Sequence, residues 1–99
     1  MIVTIKNGRA ELRNDSGSLI GTVGSSGVVS ADCTDDYMLL VYDSGKAELR
    51  CVPSRTLVRT ITPRNAVSGN INKSELVLRL SNGKSEVRRV PSCTLIRTI

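Results

Sequence analysis

Glutamate and arginine recur two residues apart at three places: Glu11 and Arg13, Glu48 and Arg50, Glu86 and Arg88. On an extended strand, residues two apart lie on one face, close enough for a charge-assisted contact. Repeated in neighbouring units, the pairs can form a structural ion-pair ladder or a ring of charge that grips an anionic ligand. Each arginine has a carboxylate beside it, so the field largely cancels and the ladder between neighbouring units is expected. A second set of cations, Lys46, Arg55, Arg59, Arg64, Lys84, Arg89 and Arg97, would make a surface for an anionic partner. The net charge of +5 permits such a partner without requiring one. Two tyrosines are the only aromatic residues, which disfavours binding a single strand by stacking on its bases.

Other chemistry lacks its parts. Asp32, Asp35 and Asp36 form the one acidic cluster, but their spacing matches no calcium loop, so a solvated turn is expected. Histidine is absent, so neither a serine nor a cysteine has the usual base to activate it. Cys33, Cys51 and Cys93 are odd in number and unpatterned, which reads as reduced thiols without a zinc site. The glycine-rich "GTVGSSG" at 21–27 lacks the Lys-Ser/Thr ending and following helix of a phosphate loop; it reads as a connection. No catalytic, cofactor or metal residues are assigned.

These residues sit in a repeat. Positions 44–61 fall on 82–99 without a gap, and twelve of the eighteen pairs are identical. A more diverged copy starts the chain, with "RAELR" on "KAELR" and "LIGTV" on "LVRTI" after one skipped residue. The period is 37 to 38 residues. In this register Gly21 stands where the later copies have Arg59 and Arg97, Cys51 matches Arg89, and Arg55 matches Cys93.

Each copy reads as antiparallel strands. An apolar run ("IVTI", "YMLLVY", "ELVLRL") precedes a tight turn at Asn7-Gly8, Ser44-Gly45 or Asn82-Gly83. Alternation follows, with Lys46, Glu48 and Arg50 expected outward and Ala47 and Leu49 inward. A turn, carrying Pro53 or Pro91 in the later copies, leads to a closing strand. "GVVSAD" at 27–32 and "NAVSGNI" at 65–71 supply a further strand to copies two and three. No stretch supports a helix, and none approaches the roughly 18 apolar residues of a membrane span.

This hairpin grammar resembles the WD-repeat-like β-propeller, although the Gly-His and Trp-Asp dipeptides of WD repeats are missing. The resemblance implies an all-β chain of three four-stranded blades: blade 1 at about 1–26 lacking its first strand, blade 2 at about 27–64, blade 3 at about 65–99. Propellers close with about four to eight blades. Three blades leave uncovered faces, and a homodimer completing a six-bladed ring is the economical remedy. A β-trefoil monomer is the competing architecture. The expected role is a non-catalytic binding or scaffold protein with a protein partner. A nucleic-acid-associated protein is the alternative, and a small hydrolase at the channel mouth the third reading. A cytoplasmic setting is expected from the unpatterned cysteines and the lack of a signal peptide, and a phage or mobile-element origin would suit so small a partial ring.

Overall fold

Valine, leucine and isoleucine in short alternating runs, punctuated by glycine, favour strands over helices. The computed structural model describes residues 1–61 and 65–99, and these form eleven strands. The strands make three antiparallel sheets. The first holds β1 (Ile2–Lys6), β2 (Arg9–Arg13) and β3 (Leu19–Val23). The middle sheet holds β4 (Val28–Cys33), β5 (Tyr37–Tyr42), β6 (Ala47–Cys51) and β7 (Leu57–Ile61). The third holds β8 (Ala66–Ile71), β9 (Glu75–Leu80), β10 (Ser85–Arg89) and β11 (Leu95–Thr98). Within each sheet the strands follow chain order, so every connection is a local hairpin.

The repeat extends to irregularities of the ladder. A register shift falls at Leu12/Arg13, Leu49/Arg50 and Val87/Arg88, the same station in each copy. Another falls between Val28 and Ser30 and between Ala66 and Ser68. Such shifts re-aim side chains locally. They leave Val29 and Val67 similarly exposed, at 52% and 51%.

Packing between sheets makes two cores. One face of the middle sheet sets Met38, Leu40 and Tyr42 against Ala10, Leu12 and Val23 of the first sheet. The opposite face sets Leu39, Val41, Ala47, Leu49 and Ile61 against Leu76, Leu78 and Leu80 of the third. Consequently β5 is buried at every position from Met38 to Tyr42. The sequence expectation of an outward Glu48 is corrected here. Glu48 is 5% exposed because the side it points to is covered by another sheet and not by water. Period-two alternation separates the two faces of a sheet, but cannot say that either is wet.

Main-chain and side-chain bonds cross both gaps. The Val28 N–H donates to Gly8 O at 2.8 Å, and the equivalent Ala66 N–H donates to Gly45 O at 3.1 Å. On the inner strands, Ser30 Oγ accepts from the Gly69 N–H at 3.2 Å and Asp32 Oδ2 from the Ile71 N–H at 2.9 Å. These side chains satisfy the amides of an edge strand that would otherwise invite foreign pairing. Gly69 is needed for this approach: a Cβ there would stand 2.7 Å from Leu39 Cδ2 and 3.0 Å from Val77 O.

Leu49→Ala should cost about 2–5 kcal/mol in denaturant unfolding, because the site is enclosed and cannot collapse fully. Val58→Ala, at an exposed station of β7, should stay within about 0.5 kcal/mol. Equal effects from the two substitutions would contradict the packing described for the middle sheet.

Candidate functional site

The Glu-x-Arg pairs lie on the central strands β2, β6 and β10, where the ladder fixes the backbone on both sides. Each pair closes within its own strand. Arg13 Nη2 reaches Glu11 at 3.0 Å, Arg50 Nε reaches Glu48 at 3.1 Å, and Arg88 Nη2 reaches Glu86 at 2.9 Å. Among the described residues these six side chains form three intra-strand ion pairs, where the sequence led to an expected ladder between neighbouring units; the strand's own pleat brings residues two apart together. The other end of each guanidinium is occupied too. Arg13, Arg50 and Arg88 donate through Nη1 to the carbonyls of Gly17, Arg55 and Cys93 at 2.9, 2.9 and 2.8 Å. Each arginine thus ties the turn after the central strand to the carboxylate two residues back.

The middle copy is the most elaborate. Tyr42 Oη donates to Glu48 Oε1 at 2.8 Å, and Lys46 Nζ lies 3.3 Å from Glu48 Oε2. The same ammonium sits 4.6 Å from the centre of the Tyr42 ring, within cation–π range. Burial alone would raise the Glu48 carboxyl. Hydrogen bonds from Tyr42 and Arg50, with the charges of Arg50 and Lys46, outweigh it and hold the group below its ordinary value. Burial and the bond to Glu48 push the Tyr42 phenol up. A general acid or base working near neutrality needs a carboxyl shifted upward, so this constellation is built to stay charged. Tyr42 was missed in the sequence because its counterparts are Lys6 and Leu80; being one of only two aromatic residues was the available signal.

The remaining candidates are dispersed. Lys46 and Lys84 lie at the hairpin end of their sheets, whereas Arg55 and Arg89 lie at the opposite end of the central strands. The five residues of β6 separate those ends by roughly 15 Å at the usual strand rise. Arg59 and Arg97 stand on the outer strands, and Arg64 lies outside the described residues. Lys46 is committed to Glu48, and Arg55 Nη1 donates to Thr22 O of the first sheet at 3.2 Å. Of the aspartates, Asp32 accepts main-chain bonds from Cys33 and Ile71, Asp35 approaches the Met1 amino group at 3.2 Å, and Asp36 offers its carbonyl to the Val52 N–H. No three His, Cys, Asp or Glu among the described residues are placed to hold a metal. Burial raises the thiol pKa of Cys33 and of Cys93, which leaves less thiolate for nucleophilic chemistry.

No protein-family model matches the chain, and no curated protein matches it either. Solved structures do. BamB from Moraxella catarrhalis superposes with a TM-score of 0.76 at 15% identity, over 98% of this chain and 31% of that one. The WD40 domain of Pan2 from Neurospora crassa superposes with a TM-score of 0.71 at 10% identity, over 98% and 32%. The chain spans about a third of the length of these structures. The three sheets are therefore laid out as β-propeller blades.

A depressed carboxyl stabilises the fold above its unfolded-state pKa, here near 4.5, and that contribution disappears as pH falls through the lower folded-state value. Glu48→Gln should therefore be less stable than the parent at about pH 7, with the gap closing toward about pH 3 in urea titrations. A gap independent of pH over that span would remove the charged role given to Glu48.

Proposed function

We propose that the chain is a non-catalytic binding protein that closes a ring with a second copy and offers the assembled surface to a protein partner. In this reading the blades occupy about 1–26, 27–64 and 65–99, and the ring has six. The observation that carries it is the contrast between covered and uncovered sheet faces. Both faces of the middle sheet are sealed by neighbours, whereas the first and third sheets each keep one face that no other described sheet covers. Sheets buried on one side only are common, but a blade in a propeller has a neighbour on each side. Two-fold closure is the commonest arrangement for identical chains.

A partner surface is supported by apolar residues left in water at matched stations. Leu19, Leu57 and Leu95 open the outer strands at 52%, 44% and 45% exposure. None of them takes part in the two cores. The likeness to WD40-type propellers is compatible with such a scaffold.

Sedimentation of the 99-residue chain should give the mass of two copies. Bases outnumber acids on both uncovered faces, with Lys6, Arg9 and Arg13 against Glu11 on one and Arg79, Arg89 and Arg97 against Glu75 on the other. Association should therefore tighten as salt rises from low to moderate concentration, by screening like charges. A single-chain mass at every salt and protein concentration would end the ring reading. Leu57→Ser with Leu95→Ser should preserve mass and melting while releasing a partner captured by the parent; a partner held equally by the double variant would place its binding surface elsewhere.

A further inference from the structure

The two gaps within the chain obey a rule of size that the repeat register makes visible. Three stations in the turn after the central strand are equivalent: Gly17, Arg55 and Cys93. All have positive φ, at 92°, 69° and 61°, and the carbonyl of each accepts from the clamp arginine of its own blade. Three stations on the outer strand are also equivalent: Gly21, Arg59 and Arg97.

Between the first and middle blades, Gly21 faces Arg55. A Cβ built on Gly21 would overlap the Arg55 guanidinium, which fills the space left by the missing side chain and donates to Thr22 O. Between the middle and third blades the sizes are exchanged. Arg59 now stands on β7 opposite Leu49, on the face turned to the third blade, and the turn station on that side is Cys93, 4% exposed and in the same core as Leu49. Each gap thus takes one arginine and one small residue at this level. Two arginines would crowd and repel; two small residues would leave a void.

One member of each kind remains unmatched. Arg97 lies on the uncovered side of the third blade, opposite Val87. Gly17 lies on the uncovered side of the first blade, and a Cβ there would meet nothing within 4 Å among the described residues. We propose that these two are the halves of a third gap, closed between chains: Arg97 of one copy seats over Gly17 of a second copy, and in a two-fold ring the contact occurs twice. This rests on the ring reading above and deepens it by naming the residues that set the register of closure. A second copy of this chain occupies both uncovered faces, because the missing complement on each face is supplied by the other.

The test exchanges sizes across the contact and reads mass by sedimentation, with circular dichroism confirming folded strands. The substitution Gly17→Arg has a precedent for its backbone, since Arg55 occupies the equivalent turn station with φ also positive. Gly17→Arg sets arginine against arginine, and Arg97→Gly sets glycine against glycine; each alone should weaken two-chain association by roughly tenfold or more. The double variant Gly17→Arg with Arg97→Gly rebuilds the arrangement of Gly21 and Arg55 and should restore association. Mixing the two single variants should also restore it, because a mixed pair has one parental and one exchanged contact. Association unchanged in both single variants overturns the contact while leaving the ring reading in place. Single variants that weaken but are rescued neither by the double variant nor by mixing also overturn it. A parent chain that stays single removes the ring reading and this contact together. If Gly17→Arg does not fold, Arg97→Ala carries the test: a two-chain mass as stable as the parent's overturns the contact, and a shift toward single chains at the same folded signal upholds it.

Discussion

Face-to-face packing of sheets is the constraint from which the rest of this structure follows. A meander of three or four short strands can satisfy its internal hydrogen bonds alone, but it has two faces and cannot fold either onto itself. The middle blade resolves this by being covered twice. Leu39, Val41 and Leu49 go one way, and Met38, Leu40 and Tyr42 go the other. Almost nothing in β5 is left for solvent. Burying consecutive residues on both faces supplies the apolar area that a chain of 99 residues can gather in no single central core.

Covered faces create a second demand, because the polar groups trapped between blades need partners. The Glu-x-Arg pairs meet it locally. Glu48 and Glu86 are buried charges, each with an arginine two residues away, and each arginine is also tied to a turn carbonyl. A buried carboxylate without such company would be costly. The arrangement therefore maintains the turn that carries Arg55 or Cys93 toward the neighbouring blade. Ser30 and Asp32 act comparably on the inner strands by satisfying amides on β8. The groups that looked chemically suggestive in the sequence are largely consumed by structure: the Glu-x-Arg pairs within their own strands and turns, and Arg55 and Asp32 across the gaps between blades.

The proposed function accordingly rests on surfaces. The cations are distributed over both ends of the sheets and over β7 and β11, and the best-connected carboxylate is held charged and enclosed. The matched leucines at the starts of the outer strands and the uncovered faces of the flanking blades are left over. In the proposed ring, the exchange of arginine and small residues across successive gaps would link those leftovers to assembly, since it gives neighbouring blades a specific register beyond general apolar contact.

Strand positions, turn positions and the repeat were legible in the sequence because they depend on local chemistry. Asn7-Gly8 and Asn82-Gly83 specify tight turns, and alternation in "KAELR" specifies a strand with two unlike sides. The pairing of Glu48 with Arg50 was also readable, since the pleat alone brings them together. What covers each side was not. Glu48 reads as outward by pattern and is buried in fact, because water and a second sheet leave the same alternation. Tyr42 as its partner, Arg55 in the place of a side chain at Gly21, and Asp32 bonded to Ile71 all join residues from different strands or blades. The first forms across the β5–β6 hairpin; the other two depend on how sheets stack in space, and only tertiary packing brings such distant positions together.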